Sequence, residues 1–267
     1  MRIALIAGNG NFPILFAKAA RDKGVEVISI GINEETSKDL EQYVNKMYWL
    51  GVGDLEKLFH ILISEQLTSA VMAGQVRHNL LFDKSIKLDK SMAGLLSAVK
   101  DKKTDSLIGA IAAMLASSGI RLIDSTTFLS DLLPEEGLLT DTPLADTILK
   151  DIEFGKEIAK SIAGLDIGQT VVVKDKAVLA IESIEGTDEA IKRGAYYGKD
   201  GVVIVKVSKP DQDMRFDIPI IGPDTIKLLK EVKAACIAIE AKKTLIIDKE
   251  KTVGLANEAR VAIIAIS

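Results

Sequence analysis

Cysteine, histidine and tryptophan are scarce in this sequence. Its 267 residues include one cysteine, two histidines and one tryptophan. The single cysteine, Cys236, excludes an internal disulfide and a zinc site built from several cysteines, and it favours a reducing compartment such as the cytoplasm. His60 lies in an apolar helical pattern, where we expect it to pack in the core, and His78 lies in a predicted loop. Neither has a second histidine or cysteine at metal-ligand spacing, which disfavours a metal site with nitrogen or sulfur ligands.

Long apolar runs and basic blocks are missing as well. No apolar stretch approaches the ~18 residues that a membrane span needs, and the first residues predict a strand, a turn and a helix rather than a signal peptide. The net charge is −4 and no basic block interrupts the sequence, so we expect no nucleic-acid partner. The chain also lacks a Walker A loop and a G-x-S-x-G nucleophile elbow. Hydrophobic residues make up 48% of the chain, enough for a sizeable core.

Short apolar, β-rich runs alternate with helical patterns, which predicts an α/β protein. We expect an open Rossmann-like parallel sheet over residues 1–133, a linker rich in turn formers and acids over 134–144, and a mixed α/β domain over 145–267. The predicted strands cover 2–7, 25–30, 46–50, 69–73, 121–123, 170–174, 177–182, 201–207, 236–239, 244–247 and 261–265. The predicted helices cover 14–23, 104–117, 145–163, 187–193, 224–234 and 249–259, with a further helix after Asp54.

A glycine turn, Gly8-Asn9-Gly10, separates the first predicted strand from the first helix. Backbone N–H groups in such a turn can bind phosphate with the help of the helix dipole, although the glycines could equally serve a tight turn alone. Pro13 stands where a dinucleotide fingerprint would have its third glycine, so NAD is not expected. Gln75 follows the fourth strand, where it could contact a base or sugar or simply belong to a polar loop.

Three segments of the second half carry charged residues at strand ends or in irregular surroundings. The segment Glu182-Ser183-Ile184-Glu185-Gly186-Thr187-Asp188 follows a strand, bends at a glycine and enters a helix. Its carboxylates suit Mg²⁺, although Thr187 or Asp188 could instead be a helix cap. Lys206 and Lys209 end a strand with two cations that suit a diphosphate, or that are merely solvated. Farther on, Arg215 precedes Asp217, whose carboxylate could bind a metal ion or orient a water molecule.

Taken together, these motifs resemble one family, the UDP-2,3-diacylglucosamine pyrophosphatases of the LpxI type, from lipid A biosynthesis. The resemblance extends along the whole chain. The motifs that carry it are LIAGNGNFP at 5–13, LDIGQ at 165–169, EGTD at 185–188, Lys209-Pro210, and RFDIP at 215–219 with Ile221-Gly222. It implies a Mg²⁺-dependent hydrolase in which water attacks the α-phosphorus, giving UMP and 2,3-diacylglucosamine 1-phosphate. It also implies two domains with the site in the cleft between them.

The resemblance also implies roles for particular residues. Asp217 occupies the position of the essential aspartate in the R-x-D-[LI]-P segment of the family. On the physical argument above, Glu185 and Asp188 join Asp217 as metal ligands, and Asp188 joins it as a catalytic residue. The expected substrate-binding residues are Gly8, Asn9, Gly10, Phe12, Pro13, Gln75, Gly186, Thr187, Lys206, Lys209 and Arg215.

The expected partner is a UDP-linked diacylated glucosamine. Any membrane contact would be peripheral, at the inner membrane and through this lipid substrate, and a homodimer is left open. The stretch 79–99 is apolar enough to contact acyl chains, although ordinary domain packing is the preferred interpretation. Two alternatives stay open: another nucleotide-sugar or nucleotide phosphohydrolase on the same fold, and a non-catalytic protein that binds a nucleotide-linked lipid.

Overall fold

The computed structural model describes residues 1–76, 86–99, 104–210 and 212–267; His78 and part of the apolar stretch 79–99 lie outside them. Contacts divide the chain into two units, one of Met1–Ser130 with Asp213–Asp217 and one of Asp131–Gln212 with Ile218–Ser267. This confirms the predicted two-domain α/β class. The segment Asp213–Asp217 groups with the first unit, whereas the sequence predicts it in the C-terminal domain. The cleft site that the resemblance implies stays a prediction.

The first unit contains a five-stranded parallel sheet with the strand order β3-β2-β1-β4-β5. Its strands are β1 (Arg2–Ala7), β2 (Glu26–Ile32), β3 (Lys46–Leu50), β4 (Ser69–Ala73) and β5 (Arg121–Leu122). Ile6 lies in register with Ile30 on one side and with Met72 on the other. Apolar side chains therefore form a row across the middle of the sheet near the carboxyl ends of three strands.

Among the described residues, four α-helices belong to this unit. They are α1 (Phe12–Asp22), α2 (Leu55–Ser64), α3 (Lys90–Ala98) and α4 (Thr104–Ser117). Helix α3 was not predicted, because the apolar pattern loosens there; its start is fixed by Asp89, whose carboxylate accepts a hydrogen bond from Met92 N at 2.7 Å. The prediction that His60 packs in the core is wrong, since this residue is exposed on α2.

The second unit contains a six-stranded mixed sheet with the order β6-β13-β11-β9-β7-β8 and a small parallel pair, β10-β12. The strands are β6 (Gly137–Leu138), β7 (Thr170–Lys174), β8 (Ala177–Ile181), β9 (Val203–Lys206), β10 (Ile220–Ile221), β11 (Cys236–Glu240), β12 (Leu245–Ile246) and β13 (Ala262–Ile266). Strands β9, β11 and β13 run parallel, and β7 pairs antiparallel with β8 and β9. Strand β6 lies within the predicted linker and pairs antiparallel with β13.

Helices pack on both faces of the mixed sheet. They are α5 (Asp146–Gly164), α6 (Thr187–Gly198), α7 (Pro223–Glu231) and α8 (Lys249–Ala259). Gly155 of α5 and Gly194 of α6 bring their helices close to opposite faces: a Cβ atom there would lie 2.7 Å from Val205 Cγ2 and 2.5 Å from Val172 Cβ, respectively. Among the described helices, none has the length and apolar composition needed to cross a membrane.

Candidate functional site

Four side chains of the second unit form a buried polar group, here called the Lys206 cluster: Lys206, Thr187, Glu182 and Thr170. Lys206 ends β9 with 5% of its surface exposed. Its Nζ donates a hydrogen bond to Thr187 Oγ1 at 2.9 Å, and Thr187 Oγ1 donates to Glu182 Oε1 at 2.7 Å. The Nζ also lies 3.4 Å from Thr170 Oγ1. The cluster thus joins the end of β9, the start of α6 and the residue after β8.

The ionised form of Glu182 is stabilised by its neighbours. Burial alone would raise the pKa of this carboxyl, but the Lys206 ammonium, the hydroxyls of Thr170 and Thr187 and the Gln169 amide together lower it. The result is a carboxylate that holds a lysine and a threonine in fixed positions. Buried charges of this kind are costly unless they are paired, so the cluster behaves as one unit.

The loop before β7 approaches Glu182 closely. A Cβ atom on Gly168 would lie 2.1 Å from the backbone oxygen of Glu182, so only glycine fits. Gln169 N donates to Glu182 Oε2 at 3.3 Å, whereas Gln169 Oε1 is buried without a hydrogen-bond partner among the described residues. Nearby, Lys209 Nζ lies 3.0 Å from Asp166 Oδ1. These contacts give a physical reason for Asp166 and Gly168 in the LDIGQ motif.

Helix α6 begins beside the cluster. Gly186 is its N-cap residue with φ of 85°, and no atom lies within 4 Å of where its Cβ would be, so the space in front of the helix is open. Asp188 is exposed in the first turn, where a carboxylate also interacts favourably with the helix dipole. Glu185 forms an ion pair with Arg193. The EGTD motif therefore contains a partnered Glu185, a clustered Thr187 and an exposed Asp188.

A metal ion is not held by a ready-made group of ligands in the described part of the chain. No three histidine, cysteine, aspartate or glutamate side chains among the described residues are grouped as a metal site requires. Mg²⁺, however, is commonly bound by one or two carboxylates together with substrate phosphates and water. The carboxylates of the described residues, including Asp217, therefore fit Mg²⁺ only if substrate phosphates and water supply its other ligands.

The glycine turn of the first unit is held by backbone hydrogen bonds. Gly8 N donates to Ala73 O at 2.8 Å, and Asn9 N donates to Gln75 O at 2.7 Å. A Cβ atom on Gly8 would lie 2.6 Å from Gln75 O. Two of the N–H groups predicted to contact phosphate are thus engaged within the protein. Gly10, with φ of 90° and open space around it, is the glycine of the turn that faces no neighbour.

The other predicted contacts at this turn divide into buried and exposed residues. Phe12 and Pro13 are buried in the first turn of α1, and a Cβ atom on Gly74 would lie 3.0 Å from Pro13 Cγ. Gln75 is exposed, and its backbone bridges to Asn9. The Asn9 amide donates to Glu35 Oε2 at 3.0 Å. Packing within the turn accounts for the burial of Phe12 and Pro13, and their contact with substrate stays a prediction.

The segment Asp213–Asp217 is anchored to the first unit. The backbone amide and the hydroxyl of Ser125 both donate hydrogen bonds to Met214 O, at 3.1 Å and 2.9 Å. Arg215 Nε lies 2.8 and 3.1 Å from the two oxygens of Asp213, and this pairing lowers the pKa of Asp213 and raises that of Arg215. Asp217 N donates to Asp213 O at 2.9 Å, which closes a turn and places Asp217 directly after half-buried Phe216.

The structure therefore brings Thr187 and Lys206 together, and it gives Glu185, Lys209 and Arg215 separate ion-pair partners. Sequence reasoning placed Glu182 in the acidic segment 182–188 but did not connect it with Lys206, and it missed Thr170. A usable signal for this pairing was present, because Glu182 and Lys206 each end an apolar run, and a charge that becomes buried there is costly unless it has a partner.

Comparisons with known proteins agree along the whole chain. The family model for the LpxI N-terminal domain matches residues 2–132, and the model for the LpxI C-terminal domain matches residues 135–264. A relative from Caulobacter vibrioides, named UDP-2,3-diacylglucosamine pyrophosphatase LpxI, is 27% identical over 96% of this chain and 94% of its own length.

Solved structures give weaker likenesses. The biotin carboxylase domain of Hydrogenobacter thermophilus 2-oxoglutarate carboxylase is 13% identical with a TM-score of 0.28, covering 73% of this chain and 40% of that one. Biotin carboxylase from Campylobacter jejuni is 11% identical with a TM-score of 0.29, covering 73% and 41%. These values carry no argument about function. Because the two family models match successive parts of it from residue 2 to residue 264, the chain belongs to the LpxI family.

Proposed function

We propose that this protein hydrolyses the pyrophosphate bond of UDP-2,3-diacylglucosamine with Mg²⁺ as cofactor, releasing UMP and 2,3-diacylglucosamine 1-phosphate. The match over 96% of the chain to a relative that carries the name of this activity is the observation on which the proposal rests. The Lys206 cluster supports it, because a diphosphate needs a fixed cation and hydroxyl donors, and both are present at the start of a helix.

In this proposal the diphosphate binds in front of α6. The Lys206 ammonium is buried, so bulk salt screens its charge less than it screens an exposed lysine. Glu182 keeps Lys206 and Thr187 in place before the substrate arrives, and such preorganisation is what stabilises developing charge. Lys209 would give up its ion pair with Asp166 and bind a phosphate oxygen instead. Arg215 would do the same with its partner Asp213, so both would add positive charge to the site.

The proposed chemical step is attack of water on the α-phosphorus. The bond from that phosphorus to the bridging oxygen breaks, the water oxygen remains in UMP, and the proton of the water passes to Asp217. A positioned general base of this kind contributes about 10² to 10⁴ in rate. Bound Mg²⁺ would neutralise phosphate charge, with Asp217 as its protein ligand and Asp188 and Glu185 as further candidates.

Substrate hydrolysis tests the proposal. Purified protein is incubated with UDP-2,3-diacylglucosamine in Mg²⁺ or in EDTA, and UMP is measured by chromatography, with UDP-glucose and ADP-ribose as comparison substrates. We expect UMP from the diacyl substrate in Mg²⁺ alone. Equal turnover in EDTA would remove the metal from the proposal. Turnover of the comparison substrates only would favour another phosphohydrolase, and tight binding without turnover would favour a binding protein.

The same proposal places the protein in the cytoplasm, in peripheral contact with the inner membrane through its lipid substrate. Sedimentation with vesicles that contain the substrate, compared with vesicles that lack it, tests the membrane contact. Analytical ultracentrifugation tests whether the chain forms a homodimer.

A further inference from the structure

A second buried carboxylate of the second unit lies at the carboxyl ends of the parallel strands β9 and β11. Glu240 ends β11, and 6% of its surface is exposed. Its Oε2 accepts hydrogen bonds from the backbone amide of Ser208 at 2.8 Å and from the Ser208 hydroxyl at 2.7 Å. Two lysines complete the group: Lys160 Nζ lies 2.6 Å from Oε2, and Lys243 Nζ lies 2.8 Å from Oε1. These four residues are called the Glu240 cluster below.

The Glu240 cluster fixes Ser208 through all of its polar groups. Besides the two hydrogen bonds that Ser208 donates to Glu240, Lys160 Nζ donates to Ser208 O at 3.2 Å. Ser208 itself is 0% exposed. One ion pair therefore engages the amide, the hydroxyl and the carbonyl of this serine, and side chains of β11 and α5 set its position.

Stability alone does not explain such an arrangement. Removing the Glu240 carboxylate from water is costly, and apolar residues often replace a buried ion pair without loss of stability. Although burial alone would raise the pKa of Glu240, hydrogen bonds from Lys160, Lys243 and Ser208 lower it to about 2, so the carboxylate is ionised at neutral pH. A buried ion pair can instead specify the position of the groups that it contacts.

Ser208 lies between the two lysines that the proposed function assigns to the diphosphate. Lys206 is held by its own cluster two residues earlier. Lys209 comes directly after Ser208, and its Nζ lies 3.0 Å from Asp166, the partner that phosphate would replace. Pro210 follows and restricts the backbone conformation of Lys209. Fixing Ser208 therefore fixes the point from which the Lys209 side chain extends.

We infer that Glu240 is a positioning residue of the diphosphate site, which acts through Ser208 to hold Lys209 where its ammonium reaches the substrate. The inference rests on the proposed function, which supplies the diphosphate. The end of β9 is then held from both faces of the sheet: Glu182 holds Lys206 on the face that α6 covers, and Glu240 holds Ser208 on the face that α5 covers. Such control matters, because small errors in the position of a group that binds the reacting phosphates cost large factors in rate.

Glu240→Gln tests this inference, with Asp151→Asn as the matched control. Asp151 is 4% exposed, and its carboxylate accepts hydrogen bonds from the backbone amides of Asp175 and Lys176 at 2.9 and 2.7 Å. It holds the turn between β7 and β8, which lies beyond the start of β9 and so at the opposite end of the sheet from Ser208. Both substitutions should lower the urea midpoint. In assays where circular dichroism shows both variants to be folded, we expect only Glu240→Gln to lower kcat/KM, on the order of tenfold.

A double-variant cycle shows whether Glu240 acts through Lys209. Lys209→Met should lower kcat/KM by itself, and Glu240→Gln should cause no further loss in that background. Ser208→Ala, a milder change that removes one hydrogen bond, should lower kcat/KM on the order of threefold, again only while Lys209 is present. A general loss of stability would instead make the losses multiply in the double variant, or make Asp151→Asn as impaired as Glu240→Gln, and either result would overturn the inference.

Binding of UDP gives a readout that does not depend on turnover. Titration calorimetry with UDP is carried out on wild type and on the same variants. We expect Glu240→Gln to raise Kd on the order of tenfold, with no further rise when it is added to Lys209→Met. A wild-type protein that hydrolyses no nucleotide sugar would refute the proposed function, whereas this pattern of UDP binding would still support the positioning role. UDP that binds wild type and Glu240→Gln equally, or binds neither, would overturn that role.

Discussion

The ammonium of Lys206 lies 2.9 Å from the hydroxyl oxygen of Thr187, and that hydroxyl lies 2.7 Å from Glu182. Lys206→Met would leave the Glu182 carboxylate buried without its cation. We expect this change to lower the free energy of unfolding by about 3 kcal/mol or more, measured by urea denaturation. The double variant Lys206→Met/Glu182→Gln should recover much of the loss.

The matched control for this prediction is Lys192→Met, which removes a lysine from an exposed pair with Glu189. We expect little change there, because exposed pairs contribute little. If Lys206→Met unfolded at the same urea concentration as wild type, the Lys206 cluster would not be a stabilising unit.

Asp217 is predicted to matter for turnover and not for folding. Asp217→Asn keeps the size of the side chain but removes the base and the metal-binding charge. We expect kcat to fall by about 10² to 10⁴ while the unfolding midpoint and substrate binding change little. Asp22→Asn, an exposed change of the same charge in the first unit, is the control and should keep full activity. Near wild-type kcat for Asp217→Asn would contradict the assignment.

The two glycines of the first turn should respond differently to alanine. Gly8→Ala forces a Cβ atom to within 2.6 Å of Gln75 O, and we expect it to destabilise the protein by about 2 kcal/mol or more. Gly10→Ala meets no neighbour and should cost only about 1 kcal/mol of backbone strain. Thermal unfolding measures both. Unchanged KM for Gly10→Ala would indicate that the turn serves the fold, whereas a raised KM would support the predicted phosphate contact.

Acid sensitivity should arise in part from Glu240 at the end of β11. Although burial alone would raise its pKa, hydrogen bonds from Lys160, Lys243 and Ser208 lower it to about 2. A lowered carboxyl pKa adds stability that is fully present above the unfolded pKa of roughly 4.3 and is lost as the pH falls toward 2. The total contribution is at most about 3 kcal/mol.

Urea denaturation between pH 7 and pH 3 tests this dependence. In Glu240→Gln, the free energy of unfolding should fall less steeply between pH 5 and pH 3 than it does in wild type. Glu135→Gln, which changes an exposed glutamate paired with Lys242, should keep the wild-type profile. If wild type and Glu240→Gln lost the same stability between pH 5 and pH 3, Glu240 would not be the origin of the acid sensitivity.

The thiol of Cys236 should be unreactive in the folded protein. Burial in β11 raises its pKa to about 12, so the thiolate is scarce at neutral pH. We expect a thiol reagent at pH 8 to modify no cysteine in the native protein and one in urea. Rapid modification of the native protein would show that β11 opens easily.

Hydrophobic periodicity predicted most strands of both sheets, because buried runs such as 3–7 of β1 and 236–239 of β11 are continuously apolar. Three elements escaped it: strands β6 and β10 have two residues each and depend on pairing with β13 and β12, respectively, and helix α3 depends on capping by Asp89. Tertiary contacts of this kind leave little trace in local sequence.

At the candidate site, sequence reasoning found residues but could not find their partners. Thr187 and Lys206 were both predicted, yet the carboxylate that joins them, Glu182, belongs to a different strand end. Similarly, the Gly8 and Asn9 amides look available in the sequence, and only the fold shows that Ala73 and Gln75 accept their hydrogen bonds.

Hydrolysis of UDP-2,3-diacylglucosamine in H₂¹⁸O with Mg²⁺ tests the central claim most directly, with the label followed by mass spectrometry. The account predicts one ¹⁸O atom in the phosphate of UMP and none in 2,3-diacylglucosamine 1-phosphate. Label in the lipid product would contradict attack on the α-phosphorus, and the absence of both products from folded protein would contradict the pyrophosphatase activity itself.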